Sequence, residues 1–97
     1  MNLTLQYFDG CPNWRVAATR LEEALERRGL GGTHIELQRI ESVADAERCG
    51  FHGSPTVLRD GHDIFDSLAG AVGLSCRVYA GPDGAPSVDE FADALGP

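Results

Sequence analysis

The strongest constraint on this chain is a double change of hydrophobic period within its first forty residues. From Asn2 to Phe8, Leu3, Leu5 and Tyr7 alternate with Thr4, Gln6 and Phe8, the two-residue period of a strand. From about Pro12 to Arg28, the residues Val16, Ala17, Leu21, Ala24 and Leu25 recur at helical spacing. Alternation then returns over Thr33 to Ile40 through Ile35 and Leu37. Strand, helix and strand in that order form a βαβ unit, whose crossover forces parallel pairing and places the chain in the α/β class. The second face of the first strand is itself partly apolar, as a strand central to a sheet requires.

Punctuation in the rest of the chain extends this order. Pro12 suits the first helical turn, because its missing N–H would have had no intrahelical partner, and Gly29 with Gly31-Gly32 closes the far end. Glu23 and Arg27 stand at i,i+4 on the same helix. Ser42 caps a short helix that carries Ala44, Ala46 and Cys49 and is broken by Gly50 and Gly53. Pro55-Thr56-Val57-Leu58 reads as a third strand, Asp60-Gly61 as a hairpin turn, and His62 to Phe65 as the antiparallel return. Ser87 and Glu90 make a capping box for a last helix with a Val88, Phe91, Ala92, Leu95 stripe. The expected fold is βαβαββα, a mixed sheet flanked by helices, in one domain over residues 1–97. Residues 66–86, rich in glycine and small side chains, form an irregular insertion in which Leu74 to Tyr79 leaves room for a short extra strand.

A net charge of -7 and a pI near 4.7 oppose a sequence-independent grip on nucleic acid, which needs Lys and Arg gathered on one face. No apolar run approaches membrane-spanning length and no basic-then-apolar leader precedes the first strand, so the cytoplasm is the expected location and a membrane is not an expected partner. Three cysteines are too few for a disulfide scaffold, and an odd count leaves at least one free or intermolecular.

Individual thiol chemistry therefore carries the functional reading. Cys11 sits between the first strand and a proline-started helix, where unpaired backbone N–H groups and the positive end of the helix dipole favour thiolate. Thiolate is the attacking species in disulfide exchange. Asp9, two residues earlier, acts in the opposite direction. The plain alternative is a cysteine used as a small hydrophobe.

Phe8-Asp9-Gly10-Cys11-Pro12-Asn13-Trp14 after the first strand, together with Gly53-Ser54-Pro55-Thr56 before the third, resembles the thioredoxin and glutaredoxin superfamily over most of the chain. The resemblance puts Cys11 on the attacking cysteine and Pro55 on the cis-proline, whose neighbouring backbone pairs with substrate. It implies substrate contacts from Ser54, Pro55 and Thr56. It calls for no bound cofactor, with glutathione as a reductant and a protein or small-molecule thiol or disulfide as partner. The departure is Trp14, which stands where a dithiol enzyme has its second cysteine, so ordinary Cys-x-x-Cys cycling is excluded. Trp14 is left to cover Cys11, to offer a flat surface to substrate, or simply to pack.

Cys76 in the insertion is the preferred resolving thiol, with Arg77 beside it to stabilise a thiolate, against the plain reading of an inert cysteine. Cys49 is assigned to the core. His52 precedes the Gly53-Ser54-Pro55 turn and is weighed as a base for Cys11 against plain solvent exposure, while His34 and His62 are assigned to structure. The leading function is thiol–disulfide redox at Cys11, resolved by Cys76 or an external thiol. Organomercurial or soft-metal handling by cysteine thiolates and a non-catalytic thioredoxin-like binding domain are the alternatives.

Overall fold

A computed structural model of the chain describes residues 1–65, 72–73, 77, 79 and 84–95. Four strands and three helices lie among them: β1 (Leu3–Tyr7), α1 (Asn13–Arg27), β2 (Ile35–Arg39), α2 (Val43–Cys49), β3 (Thr56–Arg59), β4 (His62–Asp63) and α3 (Val88–Leu95). The strands form one mixed sheet in the order β2-β1-β3-β4. β1 runs parallel to β2, with Leu3 opposite Ile35 and Leu5 opposite Leu37, and antiparallel to β3, with Leu5 opposite Val57. The βαβ unit is therefore present and β1 is central.

Alternation along β1 divides the interior between the two faces of the sheet. Leu3 and Leu5 join Val57 and the buried α1 and α3 residues Leu21, Leu25, Phe91 and Leu95 in the main core. Phe8, on the opposite face, packs against a smaller cluster of Ile40, Ala46 and Phe51 beneath α2. Both serine caps are used, while Pro12 stands at the N-cap of α1, one residue before its first turn. Ser42 Oγ accepts from the Asp45 amide at 3.1 Å. Ser87 and Glu90 make both bonds of their box, at 3.1 and 3.0 Å. Asp60 and Gly61 both adopt positive φ, 51° and 85°, the paired left-handed conformation of a type I′ hairpin turn.

Several sequence expectations are corrected. The antiparallel return is shorter than His62 to Phe65, since β4 ends at Asp63. Val16 is exposed although its spacing fits the buried stripe, because Ala17, Leu21, Ala24 and Leu25 already supply the contact face. Leu37 is 52% exposed: β2 is an edge strand, and the main core beneath α1 reaches it only at Ile35. Ala44 is exposed, and Cys49, assigned to the core from sequence, is exposed too, because the seven-residue α2 turns only Ala46 inward. Arg27 pairs with Asp89 of α3 at 2.5 Å, so its salt bridge joins two helices. The expected local pair on one helix, Glu23 with Arg27, gives way to a contact that only the packing of α1 against α3 supplies.

Candidate thiol site at the end of the first strand

The site begins where β1 runs out. Phe8-Asp9-Gly10 turns the chain tightly, with the Cys11 amide donating to the Phe8 carbonyl at 3.2 Å. A Cβ at Gly10 would fall 2.4 Å from the Phe8 ring, so the turn leaves no room for a side chain there unless that ring moves. Cys11 emerges just before α1 with 0% of its surface exposed. It is engaged in a disulfide, whereas Cys49 is a free thiol. Asp9 is drawn toward Arg39 of β2, which it meets at 2.5 Å in an exposed ion pair.

The Cys11 Sγ lies 3.5 Å from the carbonyl oxygen of Ser54. A disulfide sulfur carries no hydrogen, so this is a close contact in the bridged protein; on reduction the same oxygen is placed to accept the S–H. The Ser54–Pro55 peptide is cis, the geometry that the resemblance implied. Ser54, Pro55 and Thr56 are all buried beside Cys11's contact point.

Arg77 and Tyr79 close over this turn. The Arg77 amide donates to the Ser54 carbonyl at 2.9 Å, so one oxygen meets both the Cys11 sulfur and the backbone of Arg77. Gly53 has a φ of +108°, and a Cβ there would lie 3.0 Å from the Arg77 Cα, which makes glycine necessary for both conformation and approach. The Thr56 hydroxyl donates to the Gly53 carbonyl at 2.6 Å, and the Tyr79 hydroxyl donates to the Pro55 carbonyl at 2.6 Å. The carbonyls of residues 53, 54 and 55 are thus each taken by a separate donor. Burial pushes the Tyr79 phenol pKa well above its ordinary value, with the neighbouring Arg77 charge opposing that shift and Asp63 adding to it.

The Arg77 guanidinium is 98% buried at the side chain and pairs with Asp63 at 2.6 Å. It also donates to Thr56 Oγ1 at 3.2 Å and to the Phe65 carbonyl at 2.6 Å, and sits 5.0 Å from the Tyr79 ring centre. Sequence reasoning assigned this charge to a thiolate at the adjacent cysteine. The structure turns it into the Asp63, Thr56 and Phe65 cluster. Asp63 and Tyr79 were missed altogether, although a single cation inside the apolar run Leu74 to Tyr79 signals a buried counter-ion.

Trp14 is half-buried and stacks on Tyr7, with centroids 4.1 Å apart, and Arg15 lies 5.1 Å from its ring. That stack ties the start of α1 to the end of β1. Cys76, the other candidate thiol, lies outside the described residues. His34 and His62 are exposed and His52 is half-buried. Among the described residues, no three His, Cys, Asp or Glu side chains gather as a metal site, and no helix is long and apolar enough to cross a membrane. Two open cavities, of about 280 and 570 Å³, lie near Glu26, Thr33, His34 and Asn2, at the opposite end of β1 from Cys11. No family model matches the chain, and no curated protein or solved structure matches it either.

Proposed function

We propose that this chain is a thioredoxin-like thiol–disulfide redox protein whose working pair is Cys11 and Cys76. The observation that carries the reading is the shared Ser54 carbonyl: the Cys11 sulfur lies against it, and so does the amide of Arg77, the residue that follows Cys76. Cys49 is free and Cys11 is bridged in a chain with three cysteines, which supports Cys76 as the partner. The strand order, the element order and the cis Ser54–Pro55 bond support the thioredoxin-like part of the reading.

The exchange balances with an external thiol such as glutathione. One external thiolate bonds to a sulfur of the bridge, the S–S bond breaks, and its electron pair leaves with the other sulfur. A second thiolate displaces the protein thiolate from the resulting mixed disulfide. Two external thiols become one disulfide, and the bridge takes up two electrons and two protons. Because Cys11 has no exposed surface when bridged, it is the leaving sulfur in the first step. In the reverse direction it is the thiolate that attacks the mixed disulfide to re-form the bridge. A cytoplasmic location belongs to the same reading, since there the glutathione pool turns over such a bridge.

Disulfide mapping by mass spectrometry after mild oxidation tests the pairing, and site-resolved iodoacetamide labelling of the reduced protein against pH tests the nucleophile. The reading expects a Cys11–Cys76 bridge, a Cys11 that labels below the free-thiol pKa near 8.5, and a Cys11→Ser variant that stalls at the mixed disulfide and completes no turnover. A slow, ordinary Cys11 with no defined bridge sinks it in favour of a binding domain. Stoichiometric mercury binding lost in both cysteine variants, with carbon–mercury cleavage, replaces it with metal handling.

A further inference from the structure

We propose that Arg77 is a positioning residue for the Cys11–Cys76 couple: its buried guanidinium, locked by Asp63, Thr56 and Phe65, and its amide on the Ser54 carbonyl keep the backbone that follows Cys76 in sequence pinned to the same carbonyl that Cys11 meets, in the reduced protein as well as in the bridged one. This rests on the redox reading above and adds to it the device that sets the strength of the bridge.

Three features lead to Arg77. A buried ion pair contributes little net stability compared with apolar side chains of the same volume, yet it is directional and tolerates no slip. Here the direction is explicit, because the guanidinium reaches Asp63 at 2.6 Å, Thr56 at 3.2 Å and Phe65 at 2.6 Å from one position. Second, the backbone is held at the same residue: the Arg77 amide bonds to Ser54, and its Cα passes close over Gly53. Third, Tyr79 repeats the attachment two residues on, at the Pro55 carbonyl. A shift of this segment by one residue breaks all of these contacts at once. None of them involves sulfur, so reducing the bridge removes none of their donors or acceptors.

The consequence is thermodynamic. A cysteine held next to its partner before the bond forms has a high effective concentration, and the bridge is correspondingly hard to reduce. Linkage makes the effect reciprocal: the factor by which the anchor favours the bridge is the factor by which the bridge favours the anchor.

The test equilibrates the full chain with mixtures of reduced and oxidised glutathione and measures the fraction bridged. Arg77→Met and Asp63→Asn are expected to lower the equilibrium constant for bridge formation by roughly tenfold or more, and Arg77→Lys, which keeps the charge for Asp63, to lower it less. In a Cys76→Ser background, the Arg77 amide is expected to stay protected from hydrogen exchange, and the Arg77→Met substitution to leave the Cys11 alkylation rate unchanged. An equilibrium constant within about twofold of wild type in variants that fold, alongside lowered urea stability, assigns Arg77 to structure alone and overturns the proposal. Should Arg77→Met not fold, Arg77→Lys and Thr56→Val carry the same comparison. If the wild-type chain forms no Cys11–Cys76 bridge, the redox reading fails, and the exchange measurement at Arg77 still reports whether the anchor exists.

Discussion

The interior is built in two ways on either side of Val57. Toward α1 and α3 it is apolar, with Leu3, Leu5, Leu21, Leu25, Phe91 and Leu95 all at 2% exposure or less. Around Pro55 it is polar, with Ser54, Thr56, Arg77, Asp63 and Tyr79 packed into a small volume. The apolar part gains from area removed from water and has no preferred direction, so neighbouring side chains can partly substitute for one another. The polar part has the opposite character. Its partners must meet at fixed angles, and it leaves Ser54 Oγ and Arg77 Nε without a hydrogen-bond partner among the described residues. Such an arrangement is poorly explained by stability, and well explained by a need to hold one stretch of backbone in one register.

Second-site rescue separates the two most clearly. Phe91→Ala in the apolar core and Asp63→Leu in the polar cluster each carry an expected loss of about 3–5 kcal/mol, the first from a cavity and the second from a stranded buried charge. Adding Arg77→Met to Asp63→Leu recovers most of that loss, because no buried charge remains. Urea midpoints measured at constant denaturant slope check both, and a double variant no more stable than Asp63→Leu alone would break the comparison.

Thr56→Val comes next. It removes the donor to the Gly53 carbonyl and an acceptor for Arg77, with an expected cost of about 1–3 kcal/mol. The pH dependence follows in size. Burial raises the Tyr79 pKa above its unfolded value of about 10, so the folded protein holds this proton more tightly than the unfolded chain. Its contribution is complete below pH ~10 and is lost as pH rises toward the folded value, with a slope of at most about 1.4 kcal/mol per pH unit. Stability measured from pH 9 upward in wild type and Tyr79→Phe isolates this slope, because the variant lacks it. The smallest effect belongs to the surface. Arg27→Ala breaks an ion pair whose side chains are 52% and 84% exposed, at an expected cost of about 0.2–1 kcal/mol that shrinks further in salt.

Where the sequence was legible, the deciding contact is short-range. Ser87 and Glu90 are three residues apart, and Asp60 and Gly61 adjoin, so the physics that makes a cap or a type I′ turn acts within a few bonds. Where it misled, the deciding neighbour is distant in the chain. Leu37 and Ile35 have the same strand period, but only Ile35 meets the core. Cys49 occupies a helical position that becomes solvent-facing once α2 docks through Ala46. The polar cluster is the extreme case, since Arg77 meets Asp63 across 14 residues and Thr56 across 21. Cys11 itself was found from its place between a strand and a proline-started helix, while its burial against Ser54 was not.

By itself, the sequence determined that this chain alternates strand and helix, that β1 and β2 pair in parallel, where most helices and turns begin, and that Cys11 stands at the junction of β1 and α1. Those properties follow from hydrophobic period and from caps and turns that close locally. Only the tertiary structure decided which apolar residues are buried, that Arg77 is neutralised by Asp63, and that the Ser54 carbonyl meets both Cys11 and Arg77. These depend on surfaces brought together across 14 to 43 residues, and no period along the chain encodes which distant surface will be there.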